Sequence, residues 1–390
     1  MSVRHPQSEE QQALIEAVRT LARDHIAPHA AEVDKRAEFP WDAVQLLRDN
    51  EVFALGFAPE YGGTGTGTLT FLRAVEELSW ADATVGLVLA VQSLGAIAVE
   101  LSGSAEQKQR YLPRWASGEW IGAYALTEAG SGSDARAMLT TARRDGDGWV
   151  IDGSKRFITN AGVADTYVVF ARTGDAISAL VVERDAPGFS VSRIEPKMGI
   201  KGSTTGELVF DGCRVGAEAL IGEEGSGFRT AMRVLDRSRP GIGAQALGIA
   251  QAALDFALRY ATERETFGKP LSEHQGIQFM LADMAVKVEA SRGLLYDVGV
   301  MLDEGIDGPE LTKLSAMTKL FCTDVAMEVT TDAVQVLGGY GYISEYPLER
   351  MMRDAKITQI YEGTNQIQRL VIAREMVKEQ RAFLLAGVSG

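Results

Sequence analysis

The order of helical and strand-like hydrophobic patterns along the chain restricts the possible fold classes more than any other feature of the sequence. Apolar residues recur with the helical period up to about residue 120, and short β-prone runs separated by turn residues continue to about residue 215. The helical period then returns from about Gly227. A doubly wound sheet needs alternating strands and helices, so this order argues against a Rossmann domain. We expect a mainly α protein with a central β domain, divided into residues 1–120, 121–226 and 227–390.

Local signals place the individual elements. Ser8 with Gln11 and Ser104 with Gln107 can form capping boxes, which predict helices at about 8–27 and 104–117. Further helical patterns lie at about 41–53, 68–80, 82–101, 227–262, 272–304, 309–337 and 364–380. The last four are typical of a helical bundle. Between them, TTARRDGDGWVIDGSKRFITN contains two Asp-Gly turns, and YVVFA, ALVVE, FSVSRI and GELVFDG indicate strands.

Charge and cysteine content limit the function classes. The chain carries 39 Lys and Arg against 53 Asp and Glu, a net charge of −14, which disfavours nonspecific binding to nucleic acid or to an anionic membrane. The two cysteines, Cys213 and Cys322, are too few for a disulfide scaffold. Residues 84–99 are shorter than a membrane span and indicate a buried helix. The acidic N-terminus lacks a secretion signal, so we expect a cytoplasmic location.

Metal and dinucleotide motifs are weak. His25 and His29 are four residues apart and could face one metal, but Pro28 lies between them and no third ligand is evident, so a solvated helix end is the favoured alternative. His274 opens a helix without a Ser or Cys partner. The glycine cluster at 62–67 follows no strand and is interpreted as a loop. We expect no metal.

Two segments at the helix-to-β boundary could bind a ligand. AYALTEAGSGSD, residues 123–134, combines glycines with hydroxyls that could approach a phosphate or a ring edge, or it could be a polar turn. KRFITNAG, residues 155–162, places Phe157 and Thr159 at the end of a strand. The aromatic ring could stack on a planar heterocycle, or it could belong to the core.

A third segment, IYEGTNQIQRL, places Glu362 just before an apolar helical run. Thr364 is a plausible N-cap for that helix. Glu362 could be a general base held in the loop, or it could merely complement the helix dipole at the surface.

Six motifs, taken together, resemble the acyl-CoA dehydrogenases, flavoenzymes that desaturate an acyl thioester between its α and β carbons. They are YALTEAGSGSD (124–134), FITN (157–160), KMGIKGS (197–203), RETFGK (264–269), QVLGGYGY (335–342) and MRDAKITQIYEGTNQIQ (352–368). The resemblance covers about residues 8–380. It implies a helical N-terminal domain, a middle β-barrel-like domain and a C-terminal four-helix bundle. It also implies FAD bound across a subunit contact, a homotetramer, an acyl-CoA substrate and electron transfer flavoprotein as electron acceptor.

The resemblance implies roles for individual residues. Those expected to hold the flavin and its pyrophosphate are Tyr124, Leu126, Thr127, Gly132, Ser133, Phe157, Ile158 and Thr159. Those expected to meet the FAD of the neighbouring subunit, or to close the site, are Arg264, Thr266, Phe267, Gln275, Gln335, Val336, Gly338, Gly339, Thr364 and Gln366. Those expected to contact the thioester or CoA are Ser133, Asp236, Arg239 and Gly363.

Glu362 matches the catalytic base of the family. It would remove the α-proton, while the thioester oxygen is stabilised by the Glu362 backbone N–H and the flavin ribityl chain. Burial should raise its pKa from the usual value of about 4.3. Some family members carry the base on a bundle helix instead. That position falls near Ser238, which cannot serve as a base.

Departures from the family pattern bear on the substrate more than on FAD. Phe157 stands where many members have Trp, and Ala129 where many have Pro; both still allow stacking and a turn. Residues 81–99, which line the acyl tail in the family, contain no Lys or Arg, so we expect an uncharged short, medium or short branched acyl group. An acyl-CoA oxidase and a non-catalytic acyl-CoA-binding protein remain alternatives.

Overall fold

The N-terminal part of the chain is helical. The computed structural model describes residue 5 and residues 7–387. The helices are α1 (Glu9–Leu21), α2 (Ala30–Arg36), α3 (Trp41–Asp49), α4 (Thr68–Ala81), α5 (Ala83–Ser102) and α6 (Ala105–Ala116). Both predicted capping boxes are present, at Ser8 and at Ser104. The predicted helix at 8–27 keeps the α form only to Leu21, and a π-helical turn (Ala22–Ile26) and a 3₁₀ turn (Ala27–His29) follow. Pro28, which has no N–H to donate, lies in the second turn.

Helix α5 is buried on almost every face. It packs against α4, α6, the strand Gly122–Ala125 and the long helix Gly227–Glu263. The expectation that this stretch is too short for a membrane span is wrong, because α5 has 20 residues and, like Gly227–Glu263, is long and apolar enough by length and composition. In each helix, however, 78% of the apolar window is buried inside the protein. The prediction of a buried helix is therefore confirmed for α5.

The middle part is one mainly antiparallel sheet. Its strands are β1 (Gly122–Ala125), β2 (Thr141–Asp145), β3 (Gly148–Thr159), β4 (Thr166–Thr173), β5 (Ala176–Glu183), β6 (Phe189–Ile194), β7 (Thr205–Val215) and β8 (Leu220–Ile221). Their order is β6-β7-β3-β2-β4-β5-β8, and β1 lies parallel to β4, with Tyr124 opposite Val168. The four predicted strands after residue 165 are confirmed, and the topology differs from a doubly wound sheet.

One of the two predicted Asp-Gly turns is wrong. Gly146 takes a φ of 63° at the turn between β2 and β3, as expected. Asp152 and Gly153 instead lie inside β3, where the register against β7 shifts. Gly153 has a φ of 139°, and a Cβ there would come within 2.7 Å of Thr140. The glycine therefore allows a strand irregularity instead of a chain reversal.

The C-terminal part is a bundle of long helices. Its elements are α7 (Gly227–Glu263), β9 (Glu265–Thr266), β10 (Lys269–Pro270), α8 (Gln275–Asp303), α9 (Pro309–Leu337), α10 (Gly339–Tyr342), α11 (Leu348–Thr358) and α12 (Asn365–Gly387). The four long helices confirm the prediction, whereas the β9–β10 hairpin, α10 and α11 were not predicted. Helix α9 packs along α7, α8, α11 and α12.

The packing brings distant segments to one place. Helix α7 contacts α5 of the N-terminal part and β5 of the sheet, and α5 also contacts β1. The segments after β1, at the end of β3 and before α12 therefore open onto the same junction.

Candidate active site

A cavity of about 1080 Å³ lies at this junction, with walls from all three parts of the chain. It gathers most of the residues predicted for the flavin and the thioester. These are Tyr124, Leu126, Thr127, Gly132, Ser133, Phe157, Ile158, Thr159, Asp236, Arg239, Glu362 and Gly363. The three sequence segments that were ambiguous one by one thus share one cavity.

Glu362 lies in an unusual backbone turn. Its φ is 50° and that of Gly363 is 90°, so two successive residues occupy the left-handed region. The Gln368 side-chain amide holds the turn by donating to the carbonyl oxygens of Glu362 (3.2 Å) and Gly363 (2.8 Å). Within the described part of the chain, the Glu362 N–H donates no hydrogen bond. The turn therefore leaves that N–H available to a ligand.

The Glu362 carboxylate is fixed by a neighbour on α7. Ser238 Oγ donates to Glu362 Oε2 at 2.7 Å. Burial raises the pKa of Glu362, and the Ser238 hydrogen bond and the positive charges of Arg239 and Lys319 oppose that rise. A carboxylate with a raised pKa, held in a cavity, is suited to accept a proton from a bound ligand.

One wall of the cavity suits a planar ring. Phe157 has a φ of 59° and is 57% exposed, so the alternative that it belongs to the core is wrong. It lies at the end of β3 beside Thr159. A Cβ added at Gly130 or at Gly132 would meet nothing within 4 Å, so there is open space against the backbone. An open glycine turn beside an exposed ring fits a large heterocyclic cofactor such as FAD.

The loop that contains these glycines is held by hydrogen bonds from a buried lysine. Lys155, fully buried, donates to the Leu126 carbonyl (3.1 Å) and to Glu128 Oε1 (2.8 Å). Glu128 also accepts from the backbone N–H groups of Leu139 and Thr140. Burial lowers the pKa of Lys155 to about 8, against the opposing effect of Glu128. This buried pair fixes the shape of the loop.

Arg239 and Asp236, which carry opposite charges, form a hydrogen-bonded pair near the Glu362 end of the cavity. Arg239 donates from Nη1 to Asp236 Oδ1 at 2.7 Å, and Thr312 donates to Asp236 Oδ2 at 2.6 Å. Arg239 is buried, and its Nε finds no hydrogen-bond partner among the described residues. Asp236 therefore accepts from Nη1 of Arg239, while the Nε of Arg239 is enclosed without a partner among the described residues.

The remaining predicted residues lie elsewhere. A second cavity of about 500 Å³ is lined by Arg264, Thr266, Gln335, Val336, Gly338 and Gly339 and shares no lining residue with the first. Phe267 has a φ of 54° and is 98% exposed. Gln275 and Gln366 are exposed near the starts of α8 and α12, while Thr364 caps α12 by accepting from the Ile367 N–H at 3.3 Å. The chain therefore does not bring its predicted cofactor residues to one site.

The sequence interpretation missed several groups at the main cavity. The sequence interpretation treats Ser238 only as a residue that cannot act as the base and does not predict that its hydroxyl contacts Glu362. Lys319 and Gln368 also hold the Glu362 turn. Lys319 occupies a helix face whose other members, such as Ser315 and Cys322, are buried, and a lysine in that pattern was a usable signal. No cluster of three or more His, Cys, Asp or Glu suited to a metal occurs among residue 5 and residues 7–387.

Comparison with known proteins identifies the class. The N-terminal, middle and C-terminal domains of acyl-CoA dehydrogenase match residues 8–119, 123–213 and 225–377 in that order. The chain belongs to the acyl-CoA dehydrogenase family, whose members are flavin-dependent oxidoreductases.

Three proteins with high similarity to this chain are described as follows. Cyclohexane-1-carbonyl-CoA dehydrogenase of Geobacter metallireducens is 49% identical over 377 residues, 95% of this chain and 98% of its own length. Butyryl-CoA dehydrogenase of Megasphaera elsdenii has a solved structure with a TM-score of 0.93 and 41% identity, covering 97% of this chain and 100% of its own. A chain in a solved structure described as the electron transferring flavoprotein of Acidaminococcus fermentans has a TM-score of 0.93 and 46% identity, covering 96% of this chain and 99% of its own.

Proposed function

We propose that this protein oxidises an acyl-CoA thioester to the trans-2-enoyl-CoA, with FAD as cofactor and Glu362 as the base that removes the α-proton. One observation carries the proposal. Glu362 lines the same cavity as the exposed ring of Phe157, with a raised pKa and a carboxylate fixed by Ser238. Bound FAD would supply the acceptor for the hydride lost from the β carbon.

The residues of the chain divide the remaining work. The Glu362 carboxylate takes the α-proton and becomes the neutral acid. Its backbone N–H, which donates no hydrogen bond within the described residues, is suited to stabilise the thioester oxygen as negative charge develops there. The raised pKa helps, because a base whose pKa lies nearer the operating pH takes a proton from carbon more readily. Ser133, Asp236, Arg239 and Gly363 would contact the thioester or CoA.

The flavin would be held by the cavity wall around β1 and β3. The open space at Gly130 and Gly132 and the exposed Phe157 ring support this assignment. Residues proposed for this half of the site are Tyr124, Leu126, Thr127, Gly132, Ser133, Phe157, Ile158 and Thr159.

The second cavity is proposed to serve the FAD of a neighbouring subunit. Its separation from the first cavity supports this proposal, as does the protruding hairpin that carries Phe267. Residues proposed for this half are Arg264, Thr266, Phe267, Gln275, Gln335, Val336, Gly338 and Gly339, with Thr364 and Gln366 near the site of their own chain.

The acyl group is proposed to be uncharged. Helix α5 presents only apolar side chains to the cavity: Leu87, Val91 and Leu94. Arg239, the buried cation nearby, is already paired with Asp236. A short, medium or short branched acyl chain fits such a wall, whereas a second carboxylate placed against α5 would meet no cation on that helix.

Assembly and electron transfer follow as further proposals. Large apolar side chains are exposed on the C-terminal helices, which supports a homotetramer built through the bundle. They include Leu258, Phe279, Val286, Phe321, Leu370 and Phe383. We also propose electron transfer flavoprotein as acceptor, a cytoplasmic location, and the division into residues 1–120, 121–226 and 227–390.

Anaerobic visible spectroscopy of the purified holoenzyme tests the function. Addition of butyryl-CoA, a longer straight-chain thioester or a short branched thioester should bleach the oxidised flavin band. Glu362→Gln should retain FAD and lose the bleaching rate by several orders of magnitude, while Glu310→Gln, which changes an exposed carboxylate on α9, should behave as wild type. Near-normal bleaching in Glu362→Gln would refute the assignment of the base. Stronger bleaching by glutaryl-CoA than by butyryl-CoA would refute the uncharged substrate, and stoichiometric peroxide in air would indicate an oxidase.

A further inference from the structure

Lys319 is a buried cation directly behind the turn that carries Glu362. It lies on α9, and its side chain is fully buried. Its Nζ donates to the Gly363 carbonyl at 2.9 Å and to Asn365 Oδ1 at 2.8 Å. The first acceptor belongs to the Glu362 turn and the second lies just after it, so the ammonium group links α9 to both. Two further residues of α9, Thr323 and Asp324, accept from Asn365 Nδ2.

The partners of Lys319 are unusual for a buried ammonium. Both are neutral oxygens, and among the described residues no carboxylate oxygen lies within 4.0 Å of Nζ. Buried charges are normally paired, because burial without an opposite charge is costly. Burial lowers the pKa of Lys319 to about 7, and the negative charge of Glu362 is the strongest influence that opposes this.

The charged and titratable groups around this pair lie on several elements. Those that influence Lys319 or Glu362 are Asp324 on α9, Arg239 on α7, and Tyr124 and Tyr361, whose hydroxyl pKa values are raised. Asp236 forms an ion pair with Arg239 and offsets part of its positive charge. Asp324 accepts from Asn365 Nδ2 at 2.7 Å and from Arg369 at 2.9 Å, so its charge is already partnered. Glu362 is therefore the carboxylate whose charge Lys319 is left to offset.

Lys319 Nζ contacts the backbone of the turn and not the Glu362 carboxylate, and this difference affects the basicity of the carboxylate. A direct ion pair would occupy the Glu362 oxygens and lower the basicity of the carboxylate sharply. An ammonium bound to the Gly363 carbonyl leaves those oxygens facing the cavity and still supplies a nearby positive charge. The hydrogen bond to the Gly363 carbonyl also holds a turn whose two residues both have positive φ.

We propose that Lys319, as an ammonium group, is a positioning residue for the proposed base: it holds the Glu362 turn and favours the ionised carboxylate. The inference rests on the proposed function, because it concerns the protonation state of Glu362 in the oxidation of the acyl thioester. In this role Lys319 would act on the reaction through Glu362, without contacting the substrate or the flavin itself.

The test is the pH dependence of anaerobic flavin bleaching by the best acyl-CoA, measured between pH 5 and 9. In wild type the rate should fall on the acid side as Glu362 becomes protonated. The variants are compared on the part of this acid limb below about pH 7, where Lys319 carries its charge. Lys319→Met removes the charge and both hydrogen bonds, and should move this acid limb upward by about one pH unit, since a nearby opposite charge lowers a carboxyl pKa by that order. Lys319→Gln should shift the limb similarly, whereas Lys319→Arg, which keeps the charge, should leave it near the wild-type position.

A control separates this effect from general damage to α9. Thr318 is the adjacent residue, buried, with a hydroxyl that has no hydrogen-bond partner among the described residues. Thr318→Val should retain FAD and the wild-type pH profile. An acid limb in Lys319→Met and Lys319→Gln that coincides with that of wild type, with only a uniform fall in rate, would reduce Lys319 to a structural role. Absence of bleaching of the wild-type flavin by every acyl-CoA would instead overturn the proposed function, and with it the role of Lys319.

Discussion

Removal of the Ser238 hydroxyl should shift the pH profile of the reaction. Ser238 Oγ donates to Glu362 Oε2 at 2.7 Å and thereby favours the ionised carboxylate. A hydrogen bond to a charged group contributes about 1.5–3 kcal/mol. Part of this is recovered in the protonated acid, which can donate to the same hydroxyl, so we take a net difference of about 1.4 kcal/mol, equal to about one pKa unit. Ser238→Ala should therefore raise the pKa of Glu362 by about one unit.

The assay is the single-turnover rate of flavin bleaching at saturating acyl-CoA, measured across pH in wild type, Ser238→Ala and Ser238→Thr. On the acid limb the Ala variant should react about tenfold more slowly than wild type, while the two rates should converge at high pH, where Glu362 is ionised in both. The Thr variant keeps the hydroxyl and should follow wild type. An unchanged acid limb in Ser238→Ala, with FAD fully bound, would show that this hydrogen bond does not set the protonation of Glu362.

Three further predictions concern the cofactor wall and stability. Phe157→Ala should weaken FAD retention about tenfold or more, because it removes the exposed ring, while Phe157→Trp should retain FAD; equilibrium dialysis against FAD measures both. Lys155→Met should lower the free energy of unfolding by about 3–5 kcal/mol in urea, because it leaves Glu128 buried without its cation; a loss below about 1 kcal/mol would contradict this. Burial raises the pKa of Asp354 to about 7, so the folded state binds more protons than the unfolded chain between about pH 4 and 7 and stability should fall as pH rises through that range. Asp354→Asn should flatten this dependence in thermal unfolding at pH 5 and pH 8.

The fold could be predicted from the sequence wherever the deciding interactions are local. The capping boxes at Ser8 and Ser104 each close within three residues, and the structure contains both. The helical period alone located α7, α8 and α9. The wrong Asp-Gly turn has a non-local cause: Gly153 packs against Thr140 on a neighbouring segment, and the dipeptide itself does not record that contact.

The site could be predicted only in part, for the same reason. Glu362, Phe157 and Thr159 belong to compact motifs, so their types and spacing were visible. Ser238 lies 124 positions from Glu362, and Lys319 lies 44 positions from Gly363. Such contacts depend on how α7, α9 and the loop before α12 pack, and a single sequence does not display that packing.

Helix α5 has a consequence for how this chain is made. Its apolar faces contact α4 and α6, which precede or directly follow it, but also α7, whose last residue is Glu263. During synthesis at about 5–20 residues per second, α5 would wait on the order of 10–30 seconds before that partner leaves the ribosome. Until then a helix with almost no polar face is exposed to solvent or to a chaperone. A fragment that ends after α6 would lack both α7 and β1, so the surface of α5 that packs against them would stay exposed.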